Sequence, residues 1–310
     1  MTIEYTGIVA IGDPHLASRG LGVRKDDYPR VALEKLAWSL RYAREHALLP
    51  VLLGDVFNFP RDNANWLITN LLALLDGEVL SIYGNHDCGP IGRLTDDDTL
   101  QILVESGRLT LVSEEAPWRG RMRGRDVVVA GSSWGTFIPQ AWTRDPGATV
   151  IWLTHHDITT GAYTGTLKPR ELPGISLLIN GHIHTPSPAV VCGQTTWMTP
   201  GNITRVARAA RHIDRAPSIL RIDVSFAGVA PRTVGLPHQP SSEVFHERVD
   251  ATDLPDLSKS EFADRLRRRI EQRREGGVNL MRFIEAHESD LEPEVFAEIQ
   301  SLATEVVSNA

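Results

Sequence analysis

The sequence predicts an α/β fold in which two β-sheets pack on one another with helices at their flanks. Two observations carry this. Residues 1 to about 235 alternate apolar runs of β-type composition with helical patterns, the mark of βαβ units feeding a sheet. From Leu109 onward the strand-like runs crowd together, which calls for a second sheet against the first. A third observation points to the functional edge: short polar clusters directly follow apolar runs, so they leave the sheet at strand carboxyl ends, where open α/β sheets place their ligands.

In chain order, GIVAIG reads as the first strand. Val31 to Ala47 is an amphipathic helix with its stripe through Leu33, Leu36, Ala37, Leu40 and Ala43. VLLG is the next strand, Trp66 to Leu75 a second helix, and VLSIYG a third strand. LTLV, DVVVAG, TVIWLT, SLLING, AVVC, TTWM and SILRIDV then follow at short intervals. Near Gly235 the composition changes: LPHQPSS is rich in Pro and Ser, and the chain beyond it is charged and helical in pattern. This places a catalytic domain over 1–235 and a helical C-terminal extension over 236–310. The extension divides into helices over Lys259 to Arg274, Val278 to Glu285 and Pro293 to Val307, the last with Pro near its first turn.

A chain of 310 residues with 42% hydrophobic and 23% charged residues suits one large domain plus an appendage and excludes fibrous or disordered classes. No stretch approaches the roughly 20 apolar residues needed to span a bilayer, and no basic segment leads into an apolar one at the amino terminus. A cytoplasmic protein with no membrane partner is expected. Two cysteines, Cys88 and Cys192, are too few for a disulfide framework. The net charge of −7 weighs against a protein that coats nucleic acid nonspecifically but leaves room for a local basic track.

Five polar clusters hold the chemistry: Asp13-Pro-His15, Gly54-Asp55, Gly84-Asn-His-Asp87, His155-His156 and Gly181-His-Ile-His184. A divalent pair that works on phosphate needs hard oxygens to hold charge, imidazoles to fix geometry and one carboxylate shared between ions about 3.5 to 4 Å apart. Asp13 and His15 can clasp one ion, Asp55 stands alone as the natural bridge, and Asn85 and His155 suit the second ion. His182 and His184 can each serve a different ion. Any one cluster is a common loop feature; five in order, each after an apolar run, are not. His86 cannot easily ligate beside Asn85, because adjacent side chains diverge, and is left to face a substrate.

The series D-x-H, G-D, G-N-H-D, H and G-H-x-H resembles the calcineurin-like metallophosphoesterase superfamily, over roughly residues 8 to 224. The resemblance implies a two-sheet β-sandwich flanked by α-helices and a dinuclear centre. Carried over residue by residue, it gives Asp13, His15, Asp55 and His184 for one ion and Asp55, Asn85, His155 and His182 for the other. The ions would be two divalent cations, manganese first, with iron, zinc, cobalt or magnesium as alternatives. By the same likeness His86 would stabilise charge at phosphorus or protonate the leaving oxygen, with Asp87 orienting its ring. The implied reaction is phosphodiester hydrolysis by in-line attack of a metal-activated hydroxide.

Within the superfamily, Gly54-Asp55-Val56-Phe57, the chain length and Thr199-Pro-Gly-Asn-Ile-Thr-Arg205 are similar to SbcD-type DNA repair exonuclease subunits. That likeness implies a DNA nuclease. It also implies an SMC-type ATPase partner docked by the C-terminal helices, whose Lys259 to Arg274 segment carries six arginines beside Phe262, Leu266 and Ile270. Three departures stand against it: Asn58 in place of a His three residues after the bridging Asp, a short helical tail and an acidic net charge. In its favour are two basic clusters, Arg119, Arg121, Arg123 and Arg125, then Arg205, Arg208, Arg211 and Arg215. Asn58, His156, Arg205 and Arg208 are the candidate substrate-binding residues. Trp134, Phe137 and Trp142 are candidates to stack bases or to pack the core, and the loop from Asp157 to Pro173 is expected to border the site. The alternatives are a phosphodiesterase or phosphatase for small nucleotides and phosphomonoesters, and a noncatalytic metal-binding scaffold. A homodimer is compatible with the sequence.

Overall fold

A computed structural model describes residues 4–246 apart from 90–91, 162 and 208–212. The three helices expected over 259–307, the ATPase-docking surface assigned to them, and Arg208 and Arg211 lie outside the described residues.

The first sheet is seeded by β1 (Gly7–Ile11), whose five residues are all buried. A strand covered on both faces reads as a continuous apolar run, which is why GIVAI shows no alternation. α1 (Tyr28–Glu45) crosses over to β2 (Leu48–Leu52). The helix starts at Tyr28, three residues before the expected Val31, because the Asp27 carboxylate accepts from Arg30 N and Pro29 sits in the first turn. α2 (Asn65–Leu74) leads to the short β3 (Leu80–Ser81), and α3 (Thr99–Glu105) to β4 (Thr110–Leu111).

β5 (Trp118–Met122) and β6 (Arg125–Ser132) form a hairpin, followed by β7 (Thr149–Thr154) and β8 (Leu177–Asn180). β9 (Ser187–Cys192), β10 (Thr195–Thr199), β11 (Ser218–Ser225), β12 (Gly228–Gly235) and the single turn α4 (Ser241–Val244) complete the described chain. The two six-stranded sheets run β12-β11-β1-β2-β3-β4 and β5-β6-β7-β8-β10-β9. Both are mixed: the first sheet is parallel from β1 to β4 and antiparallel at its β11–β12 side, and the second is parallel through β6, β7, β8 and β10 with antiparallel edges at β5 and β9.

The period of two in the strands sorts the core into layers. Ile8, Ala10, Leu49 and Val51 of the first sheet meet Ile151, Leu153, Leu177 and Ile179 of the second. Val9, Ile11, Leu48 and Leu52 point the other way, onto Leu36 and Leu40 of α1 and Leu67 and Leu71 of α2. The outer face of the second sheet carries Val128, Val150, Trp152 and Trp197, and the described residues that cover it (Ile138, Trp142, Ile158, Leu172 and Ile175) come from loops. Helices therefore flank the first sheet, and loops flank the second. The first compact unit of the chain is Met1–His246, and Leu236, Val244 and Phe245 beyond β12 are buried within it. Among the described residues no helix is long and apolar enough to cross a membrane.

Candidate metal centre

The parallel centres of both sheets end on one edge, and the five polar clusters emerge there: Asp13 after β1, Asp55 after β2, Gly84 to Asp87 after β3, His155 after β7 and His182 to His184 after β8. The backbone turns sharply at that edge. Four of the seven non-glycine residues with left-handed φ in the described chain are Asp13 (38°), His15 (46°), Asp55 (47°) and His182 (66°). Each such residue costs on the order of 1–3 kcal/mol and persists only where neighbours overdetermine it. Here they do: His15 N donates to Asp55 O at 2.9 Å and Leu16 N to Val56 O at 2.8 Å, locking the first two loops together.

Glycines make the close approach possible. A Cβ on Gly84 would lie 2.1 Å from Asp55 Oδ1, and one on Gly54 would lie 2.7 Å from both Gly84 N and His155 Nδ1. Gly181 would likewise strike Leu53 O at 2.3 Å. These three positions are glycine because the site is built against bare backbone.

The donors form two groups that share Asp55. Its Oδ2 is 3.6 Å from His15 Nε2 on one side and 3.3 Å from His155 Nε2 on the other, while Oδ1 accepts from His86 N at 2.8 Å. In the first group His15 Nε2 and His184 Nε2 are 2.9 Å apart, and Asp13 Oδ2 is buried with no hydrogen-bond partner. In the second, Asn85 Oδ1 lies 3.2 Å from His155 Nε2 and 2.9 Å from His182 Nδ1. Within each group of His and Asp residues, the donor atoms fall within 4.8 Å of one another: Asp13, His15, Asp55 and His184, then Asp55, His155 and His182. Converging imidazole nitrogens around a stranded carboxylate oxygen fit divalent cations, and the mixed N and O set admits several.

Second contacts orient the ligands. His155 Nδ1 faces the carbonyl of Leu53 at 2.7 Å; a carbonyl only accepts, so Nδ1 keeps its proton and Nε2, facing Asp55 and Asn85, is the nitrogen that can give up its proton to a cation. Asp13 Oδ1 accepts from His182 N at 2.7 Å, which leaves Oδ2 as the free donor.

The electrostatics are those of a site prepared for positive charge. Burial holds His15 down at about 4, and burial with the neighbouring His155 holds His182 at about 4, so both rings are neutral near pH 7. His184 is likewise held low, by burial and then by His15. Burial raises Asp13 to about 7. Burial would also raise Asp55, but the facing His155 imidazole overcomes it and drives the carboxyl well below its usual range. The reciprocal effect lifts His155 to about 9: burial opposes its charge, and Asp55 outweighs it.

The structure places the remaining predicted residues unevenly. His86 stands at the rim with its ring 4.8 Å from that of His15, and its Nδ1 donates to the Asn58 carbonyl at 2.9 Å. Asp87 is not its orienting partner, a correction to the expectation from resemblance. Both Asp87 oxygens are taken by backbone amides, Phe57 N at 3.0 Å and Gly84 N at 2.9 Å, so this carboxylate staples the turn that carries Asn85. Asn58, expected to touch substrate, acts on the site through its main-chain carbonyl.

His156 turns away from the ligand cluster to Thr136 O at 2.7 Å and lines a neighbouring cavity. Arg205 is a second correction: it is buried and donates to the carbonyls of Ile213 and Gln239 on the far side of its loop. Arg215 donates to Asn202 and Thr204, bracing the Pro200-Gly-Asn turn.

The other basic cluster is the β5–β6 hairpin, with Arg121 opposite Asp126 and Met122 opposite Arg125. The eight residues of β6 separate its tip from the site edge by about 23 Å at ~3.3 Å per residue. Arg119 pairs there with Asp145 through two hydrogen bonds at 2.8 and 3.1 Å. Trp142 is core, packed on Trp152. Trp134 is the residue that joins the site, its ring 5.1 Å from that of His182, and the tandem of aromatics at 134 and 137 was the only sequence signal for it.

Among curated proteins, none matches the chain. Solved structures similar to it include a hypothetical protein from Thermus thermophilus, at 13% identity, covering 74% of this chain and 99% of that one, with a TM-score of 0.40. Vacuolar Protein Sorting 29 from Cryptosporidium parvum is similar at 12% identity over 74% of this chain and 97% of that one, with a TM-score of 0.33. A predicted phosphoesterase from Streptococcus pneumoniae matches at 10% identity over 74% and 98%, with a TM-score of 0.31. The sequence pattern of the calcineurin-like phosphoesterase family matches residues 6–186, from the start of the first strand through both histidines of the last cluster. With its ligand clusters in order at one sheet edge and more than half its length inside that match, this chain belongs to the calcineurin-like phosphoesterase family.

Proposed function

We propose that this protein is a metal-dependent phosphodiesterase for nucleotide-class substrates, with His86 as its general acid. Asp13, His15, Asp55 and His184 would hold one cation and Asp55, Asn85, His155 and His182 the other, in line with the donor groups above. Bound there, divalent cations supply Lewis-acid polarisation of phosphoryl oxygens and a nucleophile formed near neutral pH. The chain's own residues do the rest.

The observation that carries the proposal is the surplus histidine. His86 belongs to neither donor group, yet its ring is fixed at the rim by the Asn58 carbonyl. Because a carbonyl only accepts, Nδ1 keeps its proton, and a proton delivered to substrate must come from Nε2 of the imidazolium. That proton goes to the leaving alkoxide oxygen as the P–O bond breaks, while the Nδ1–H···O=C contact steadies the ring. A scaffold would have no use for this arrangement.

A nucleotide-class substrate is supported by the cavity of about 530 Å³ lined by Trp134, Phe137, His156 and Arg170, next to His182. Phe137 is 94% exposed at its mouth, and such aromatic faces stack bases regardless of sequence. A DNA repair nuclease, the finer reading from the sequence, would need a basic track beside the site. Arg121, Arg123 and Arg125 sit at the opposite end of the sheet, Arg119 is taken by Asp145, and Arg205 and Arg215 face backbone carbonyls, which among the described residues favours short or single nucleotides over a long duplex.

With Mn²⁺ present, the protein is expected to hydrolyse bis-p-nitrophenyl phosphate and dinucleotides. His86→Gln should lose about 10²–10⁴-fold in kcat on an alkyl-leaving diester and far less on the p-nitrophenyl ester, whose leaving group needs no proton. Equal losses on both esters would rule out the acid role. Processive degradation of labelled duplex DNA at rates above those on dinucleotides would overturn the small-substrate reading.

A further inference from the structure

A cavity of about 500 Å³ lies between α1, the loop after β10 and the segment after β12, away from the metal-binding groups. Its lining contains four basic side chains, Arg24, Lys35, Arg41 and Arg205, against two acidic ones, Asp26 and Glu34. Three of the four cations are almost wholly buried: Arg24 is 6% exposed, Lys35 7% and Arg205 3%. Fold stability alone gives no reason to gather three buried like charges around an open space.

Accounting for their partners sharpens the point. Asp26 is committed to Arg24 through a two-pronged pair. Arg205 uses its two terminal nitrogens on Ile213 O and Gln239 O, and its Nε is buried with no acceptor. The Lys35 ammonium has no hydrogen bond or ion pair among the described residues. The lysine ammonium therefore stands unanswered at a void lined by three guanidinium-bearing residues. That is the donor set that oxyanions recruit, arginine through its fixed fork and lysine as a point charge.

We infer that this cavity is a second binding site, specific for a small organic phosphate, with Lys35 as its phosphate donor and the arginines around it supplying positive charge. The volume exceeds what a bare ion fills, and Trp38 supplies an apolar wall for the organic part. Burial and the like charges of Arg205 and Arg24 depress Lys35 to about 7, an effect that a bound dianion reverses. The site is mechanically joined to the metal centre. Arg24 donates to Arg205 O at 2.6 Å, Thr204 Oγ1 to Pro14 O at 3.4 Å, and Tyr28 on α1 donates to His15 O at 2.8 Å, so a ligand here bears on the loop of Asp13 and His15 from behind.

The test uses the full chain stripped of metal by chelation, which silences phosphate binding at the metal centre. Thermal unfolding is followed with inorganic phosphate, with adenosine monophosphate and with chloride at matched ionic strength. The expected result is a saturable rise of roughly 5 to 10 °C at about 100 times the dissociation constant, larger for the nucleotide at equal concentration. Lys35→Met should abolish that rise while keeping metal-dependent phosphoesterase activity. No rise over chloride, or an equal rise in Lys35→Met, overturns the site. Should Lys35→Met fail to fold, wild-type crystals soaked in selenate decide: an anomalous peak at hydrogen-bond distance from Lys35 Nζ supports the site, and its absence there overturns it.

Discussion

At the residue scale, the centre depends on a few atoms whose roles follow from what each neighbour can donate or accept. The Leu53 carbonyl fixes the His155 tautomer, and the Asn58 carbonyl does the same for His86. Gly84 matters as much as any ligand. Gly84→Ala would push a methyl group to 2.1 Å from Asp55 Oδ1, and both atoms sit on tightly bonded loops. We expect this variant to bind metal at least tenfold more weakly while retaining its secondary structure, as checked by metal titration and circular dichroism. Unchanged affinity would show that the loops can separate.

The ligands themselves were legible in the sequence, because chemistry restricts them to a few residue types in a fixed order. The partners of His86 and of Asp87 were not, since both lie in main-chain groups that every residue carries. Arg205 misled for a related reason. A basic residue after an active-site loop looks the same in sequence whether its guanidinium faces substrate or turns inward to cap carbonyls.

At the scale of elements, the parallel strands read clearly as apolar runs, and their polar endings marked the working edge. The β5 strand did not, because Trp118–Met122 alternates arginine with small or apolar residues and passes for a loop. Only its pairing with β6 makes it a strand. α3 was too short to show a helical period, and its burial rests on Thr99, Leu100 and Leu103 alone. The loop after β10 is held from outside by Arg215, which reaches Asn202 and Thr204, while Gly12 packs against Gly201 so closely that a Cβ would lie 2.1 Å from its carbonyl. Arg215→Ala should therefore destabilise the protein by about 1–3 kcal/mol, as three carbonyl or amide acceptors lose their donor. Chemical denaturation measures this. A loss within about 0.5 kcal/mol, as for an ordinary surface change, would mean the brace is idle.

At the scale of the whole molecule, two sheets bring five loops to one edge, and the charge held there sets how the protein responds to pH. Without metal, Asp55 keeps His155 protonated up to about 9, and burial keeps Asp13 protonated up to about 7. Both must lose their protons to ligate, so apparent metal affinity should climb as pH rises from about 6 to about 9 and level off beyond. His15 and His182, held near 4, add nothing in that window. Calorimetric titration in buffers of different ionisation enthalpy should register proton release on metal binding at about pH 7.5. Absence of release would contradict the pairing of His155 with Asp55.

The central claim is that two cations sit side by side with Asp55 between them. Electron paramagnetic resonance of the Mn²⁺-loaded protein, with metal content measured on the same sample, tests it most directly. The account predicts two manganese ions per chain and the spectrum of an exchange-coupled pair, as expected for ions about 3.5–4 Å apart, with coupling lost in Asp55→Ala. A wild-type spectrum of isolated Mn²⁺, or coupling that survives in Asp55→Ala, would contradict it.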